Sequence, residues 1–157
     1  MLKIPTKVSV KLSLILAILF MVILISGIFF MPLLVNIFLE FPENSVGRND
    51  VTAFDRNYVL VLGYAALTVM LAAGSMLLKL LSRVQRELVF TAKSVGLIRG
   101  VSWCAIILGV VFALLGWYFL ISYFVAFACV FLGICIRVVK NVIEQATEIK
   151  SEHDYTI

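Results

Sequence analysis

The longest uninterrupted apolar stretch of the chain covers residues 101–136, where 36 consecutive residues carry no charged side chain. A single straight helix of that length would reach roughly 54 Å, because each helical residue adds about 1.5 Å. The hydrocarbon core of a bilayer is only about 30 Å thick. The stretch therefore predicts two antiparallel membrane spans joined by a tight turn.

Two further stretches, residues 12–39 and 57–78, are also free of charge. The first is too long for the apolar region of a secretory signal, which has about 7–15 residues, so it predicts an uncleaved span. The fold class predicted is all-α integral membrane, a four-transmembrane-helix bundle with cytoplasmic helical extensions. It forms one membrane domain over residues 1–157. The predicted spans lie at about 12–35, 57–78, 98–115 and 119–139, with an outer loop at 40–56, a cytoplasmic loop at 79–97 and a cytoplasmic C-terminal helix at 140–157.

Small residues recur at helical spacing in three of these spans. In lipid, helices associate through close approach of their backbones, so stripes of small residues predict contact faces. The faces are Ala65, Thr68, Ala72 and Ser75 in the second span, Ala105, Gly109, Ala113 and Gly116 in the third, and Ser122, Ala126, Cys129 and Gly133 in the fourth.

The placement of charge predicts the orientation. With 63% hydrophobic and 14% charged residues, the chain does not fit a soluble domain. Of its 13 Lys and Arg residues, 11 fall on one side of a four-span arrangement, and only Arg48 and Arg56 fall on the other. Because basic residues accumulate in cytoplasmic segments, both termini are predicted to be cytoplasmic and the protein to lie in a bacterial cytoplasmic membrane.

The central segment, residues 79–100, has a net charge of +4. Its pattern predicts that the second span continues beyond the membrane as an amphipathic helix and that Thr91 caps the next helix. The basic face is either a docking surface for a protein or an anchor facing lipid head groups.

The C-terminal segment combines a charged stripe of Lys140, Glu144, Glu148 and Glu152 with an apolar one of Val139, Val142, Ala146 and Ile149. One hypothesis packs the apolar stripe on the central segment, with the acidic stripe near its basic residues. The alternatives are a basic DNA-binding partner or a solvated face. The candidate partner-docking residues are Lys79, Arg83, Arg86, Lys93, Glu144, Glu148, Glu152 and Asp154.

Catalytic patterns do not occur in the sequence. No acid and no histidine lies in a predicted span, and the three cysteines Cys104, Cys129 and Cys135 all fall within the apolar stretch. Intramembrane thiols of this kind are typical packing residues. We therefore expect no enzyme, no cofactor, no metal site and no direct contact with nucleic acid.

Two stretches resemble a known family. Residues 90–100, which begin with Phe90 and Thr91, resemble the segment leading into the third span of a bacterial four-span family. Residues 146–157 resemble its ending, which typically reads Ala, two variable residues, Ile or Leu, then Lys-Glu-Glu-Asn-Asp-Leu-Thr-Ile. Departures are Ser151 for Glu, His153 for Asn, Tyr155 for Leu, and Glu87 where Gly is frequent. The family is known as domain of unknown function 2975.

The resemblance implies a partner and no enzymatic activity, because such proteins are commonly encoded beside a small Cro/CI-type helix-turn-helix regulator. The preferred hypothesis is thus a regulatory or accessory membrane protein that binds this cytoplasmic regulator, with the lipid bilayer as its other contact. The alternatives are a small transporter or permeation protein with a polar path through the bundle, and an immunity-type membrane protein.

Overall fold

The computed structural model describes residues 6–40, 53–85 and 91–154, which form four long helices. They are α1 (Thr6–Glu40), α2 (Ala53–Gln85), α3 (Ala92–Leu115) and α4 (Ile121–Asp154). Each is long and apolar enough to cross a membrane. The predicted all-α class and the number of spans are confirmed, and the protein is a multi-pass membrane protein. Most of the predicted outer loop, Arg86 and the last three residues lie outside the described part.

The helices pack in the order of the chain. α1 packs on α2, α2 on α3, and α3 most extensively on α4. In the described residues α1 and α4 make no backbone contact, so the bundle is open along one side.

Glycines and methionines form the contacts between the first three helices. Three glycines each face a methionine of the neighbouring helix, in the pairs Gly63 with Met31, Gly74 with Met21, and Gly100 with Met76. A Cβ atom at Gly74 would lie 2.5 Å from Met21 Sδ, which shows how closely the side chain covers the glycine backbone. The flexible thioether is suited to such irregular gaps.

The interface between α3 and α4 is closer still, because backbone meets backbone. Gly109 lies against Ala126 and Val130, and Gly133 lies against Ser102 and Ile106. The Ser102 hydroxyl donates a hydrogen bond of 2.9 Å to the Gly133 carbonyl. The contact faces predicted for the third and fourth spans are therefore confirmed at their glycines.

The exception in that prediction is Ala113, which is exposed. The contact face predicted for the second span is also wrong, because Thr68 and Ala72 are exposed. The hydroxyl of Thr68 instead bonds to the Tyr64 and Ala65 carbonyls of its own helix, at 2.9 and 2.8 Å. In the middle of α2 the buried positions are Gly63, Ala66 and Gly74, and at the two glycines a methionine of α1 lies directly over the backbone.

Both predicted ends of α3 are found. Thr91 is its N-cap, with extended backbone angles and a side chain that accepts a hydrogen bond from the Ser94 amide. At the other end α3 stops at Leu115, and residues 116–120 form the turn into α4. Gly116 is required there, because a Cβ atom would lie 2.6 Å from the Tyr123 ring.

Candidate functional site

The bundle has two ends of different chemistry. We call the end with the α2–α3 connection and the C-terminal part of α4 the basic end. We call the end with the α3–α4 turn and the first residues of α2 the turn end. The predicted docking residues that the structure describes belong to the basic end, whereas a cavity lies near the turn end.

Arg83 at the basic end holds the start of α3 against the end of α2. Its Nε donates to Ser94 Oγ at 3.1 Å, and a terminal guanidinium nitrogen donates to Thr91 Oγ1 at 3.2 Å. Ser94 is completely buried, so this contact is part of the packing between the helices. Lys79 on α2 and Lys93 on α3 are exposed.

Glu144 is the acidic docking candidate with well-defined partners. Its carboxylate accepts from Arg99 on α3 at 3.2 Å and also pairs with Lys140 one turn earlier on α4. Close by, the Arg137 guanidinium lies 4.8 Å from the centre of the Trp103 ring, a cation–π contact between α4 and α3. The acidic stripe thus meets Arg99, a residue missing from the predicted set.

The predicted packing of the tail's apolar stripe is not found on the α2 part of the central segment; the contact with that segment is the pair of Glu144 with Arg99 on α3. In the described residues α4 contacts α3 and makes no backbone contact with α2. Val142 and Ile149 of the apolar stripe are 61% and 60% exposed, while Ala146 is half-buried. The physical reason is that the α3–α4 hairpin places α4 beyond the reach of α2. Glu148 is exposed, and the backbone of Glu152 and Asp154 lies in the last turn of α4.

The turn end holds a buried acid that the hydropathy pattern assigned to the outer loop. Asp55 lies in the first turn of α2 and is only 3% exposed. Its carboxylate accepts a hydrogen bond of 2.7 Å from the Tyr118 hydroxyl, and the Tyr118 ring packs 5.6 Å from that of Tyr58. A negative charge at a helix N-terminus is favoured by the helix dipole. The pair joins α2 to the α3–α4 turn.

A cavity of about 320 Å³ lies beside this pair and is lined by residues of all four helices and the turn. Its deepest wall is formed by Val35, Val59 and Leu115, which are buried and belong to one apolar cluster. Among the described lining residues, Ser122 is the one with a polar side chain, and it is 7% exposed. The cavity therefore suits an apolar occupant.

No group of three His, Cys, Asp or Glu residues that could hold a metal ion occurs in the described part of the chain. All three cysteines are free thiols. The groups that the structure describes at the two ends include charge pairs, aromatic rings and exposed apolar side chains.

Comparison with known proteins identifies the family. The model of a family described as "Protein of unknown function (DUF2975)" matches residues 8–157. The chain belongs to this family. The match covers the four helices of the DUF2975 fold and the C-terminal segment, so the resemblance seen in the sequence is confirmed. No match was found among curated proteins or among solved structures.

Proposed function

We propose that this DUF2975 protein is a regulatory or accessory membrane protein that binds a cytoplasmic partner through the C-terminal extension of α4. The observation that carries the proposal is the exposure of Val142 and Ile149 on a helix that continues past the last basic residues of the bundle. The helix runs 14 residues beyond Lys140, which corresponds to about 21 Å.

The chemistry of the extension favours a basic partner with an apolar contact surface. Val142 and Ile149 lie seven residues apart on one face, and burial of such side chains contributes about 1.5–3 kcal/mol each. Glu148 adds an exposed acidic group to this extension, and Glu144 one turn earlier pairs with Arg99 and Lys140. A helix-turn-helix regulator, which needs basic residues to hold DNA phosphates, matches this charge.

The proposal requires the basic end to face the cytoplasm. Lys79, Arg83, Arg99, Arg137 and Lys140 all lie at that end, in line with the excess of basic residues in cytoplasmic segments. Both termini then lie in the cytoplasm of a bacterial cell whose inner membrane holds the four spans. The proposal gives the protein no catalytic role.

The test is a bacterial two-hybrid assay in which two adenylate cyclase fragments are fused to the C-terminus of this protein and to a small Cro/CI-type helix-turn-helix regulator from the same genome. The parent pair should restore cyclase activity. The double variant Val142→Gln/Ile149→Gln should reduce the signal to that of unfused fragments. The matched control Asn141→Ala changes an exposed residue on a neighbouring face and should keep the signal.

Loss of signal in Asn141→Ala as well would mean that the face has no specific role. No signal with the parent pair, although both fusions are present in the cell, would refute the regulator as the partner. The transporter alternative requires a polar path, and the apolar lining of the cavity gives it less support. None of the contacts in the described part of the chain specifically favours the immunity alternative.

A further inference from the structure

The cavity near the turn end opens towards the membrane between α1 and α4. Leu34 and Phe38 of α1 form one rim and are 41% and 51% exposed. Ile121 and Val125 of α4 form the other rim and are 69% and 38% exposed. Because α1 and α4 make no backbone contact in the described residues, these rims flank an opening and not a closed helix interface.

The dimensions of the cavity suit a hydrocarbon chain. On α1 the lining runs from Met31 to Phe38, eight residues that rise about 10.5 Å along the helix axis. A cavity of about 320 Å³ over that length has room for an extended hydrocarbon chain. The competing occupant is a helix of a second copy of the chain lying across the opening, and the cross-linking experiment below distinguishes the two.

The described part of the lining is apolar. Its residues offer apolar side chains and the hydroxyl of Ser122, and none of these described residues is charged. An apolar cavity of about 150 Å³ in a protein stays dry and takes up benzene, so a lining of this kind over twice the volume favours hydrocarbon over water. The opening lies within the candidate spans of α1 and α4, where the surrounding medium is the acyl region of the bilayer.

We propose that this cavity is a binding site for one acyl chain of a bilayer phospholipid, which enters between α1 and α4 from the leaflet at the turn end. Phe38 and Phe119, whose rings meet edge to face at 6.1 Å, join α1 to the α3–α4 turn and limit the site at that end. Val35, Val59 and Leu115 form its floor. The proposal is independent of the partner proposed for the basic end.

The experiment is photolabelling of the full-length protein in phosphatidylethanolamine and phosphatidylglycerol vesicles. A small share of the phosphatidylglycerol carries a diazirine near the middle of one acyl chain, and labelled residues are mapped by mass spectrometry. If the cavity binds an acyl chain, the lining residues should carry several-fold more label than Leu33, which is 54% exposed but does not line the cavity. Equal labelling of Leu33 and Leu34 would show only the general lipid contact of the surface and would overturn the proposal.

Two substitutions that fill the cavity have matched neighbours as controls. Leu34→Trp and, from the opposite wall, Val125→Trp should each remove most of the label from the floor residues. Leu33→Trp and Phe124→Trp, at exposed positions outside the lining, should leave it unchanged. Gel filtration and circular dichroism verify that each variant is folded, and the labelling map of the parent decides the question even where a variant fails to fold.

A partner helix is tested in the same system. A photoreactive amino acid at position 34 should cross-link to lipid when a chain occupies the site. A cross-linked dimer of the protein in place of the lipid adduct would assign the opening to a second copy and would refute the proposal.

Discussion

The replacement of Gly109 by alanine tests a close contact between α3 and the backbone of α4. A Cβ atom at this position would lie 2.5 Å from Val130 Cγ2, 3.1 Å from the Ala126 carbonyl oxygen and 3.3 Å from the Val130 amide nitrogen. Two of these three atoms belong to the backbone of α4. A side-chain rotation can relieve the first clash but not the other two, so α3 and α4 must move apart.

The size of the effect follows from two opposing contributions. Alanine is favoured over glycine in a helix by about 0.8–1.0 kcal/mol. Overpacking a tight site costs about 1–3 kcal/mol. Gly96 provides the control on the same helix, because it is exposed and a Cβ atom there meets no atom within 4 Å. Gly96→Ala gains the helix preference alone, so the difference between the two variants isolates an overpacking cost of about 1–3 kcal/mol.

The measurement is the free energy of unfolding in mixed micelles, titrated with a denaturing detergent and followed by circular dichroism. Gly96→Ala should unfold at the same or a higher detergent fraction than the parent, and Gly109→Ala at a lower one. Gly109→Leu, which adds three further carbon atoms, should be less stable than Gly109→Ala. If Gly96→Ala and Gly109→Ala shift the free energy equally, then α3 and α4 do not meet at Gly109.

Three further predictions concern topology and single contacts. Alkaline phosphatase fused after Ile157 should be inactive and fused after Gly47 active; an active C-terminal fusion would contradict the proposed orientation. Ser102→Ala removes an interhelical hydrogen bond and should destabilise the bundle by about 0.6 kcal/mol, at most about 1.7, in the same detergent titration; an unchanged midpoint would show that the bond contributes nothing. Tyr118→Phe removes the phenol that donates to the buried Asp55 carboxylate and should lower the free energy of unfolding by about 1–3 kcal/mol. If the losses of Tyr118→Phe and Asp55→Asn simply add in the double variant, the two side chains do not interact and the prediction is wrong.

Local features of the sequence were sufficient to predict the framework. The hairpin of α3 and α4 follows from a charge-free stretch that is too long for one span, and length does not depend on tertiary structure. The start of α3 follows from Thr91, whose hydroxyl satisfies an amide of the first turn wherever the helix is placed. Both the hairpin and the start of α3 thus depend on residues close to them in the sequence.

The pairing of Glu144 with Arg99 illustrates what a search by charge alone overlooks. The hairpin register, counted outwards from the turn at residues 116–120, places position 99 opposite positions near 140. That signal was available in the sequence, because neighbouring antiparallel helices must align about their turn. Grouping the acids with the largest basic cluster, which includes Lys79 and Arg83, ignored this constraint. The chain connectivity therefore limits which basic residues Glu144 can reach, and charge selects only among those.

Helix α1 shows why the open side and its cavity required a structure. Most of its side chains are exposed, and its buried positions Ala17, Leu24 and Val35 lie on a stripe that is as apolar as the rest of the helix. In water a contact face is marked by the contrast between apolar and polar residues, but lipid removes that contrast, because an exposed leucine is already in hydrocarbon. The residues that indicate this contact lie on α2, where Gly63 and Gly74 leave room for methionines of α1. Among the described residues, α1 makes no backbone contact with α4; it packs on α2 and, through Phe38, on Phe119 of the α3–α4 turn, so part of its face towards α4 stays exposed.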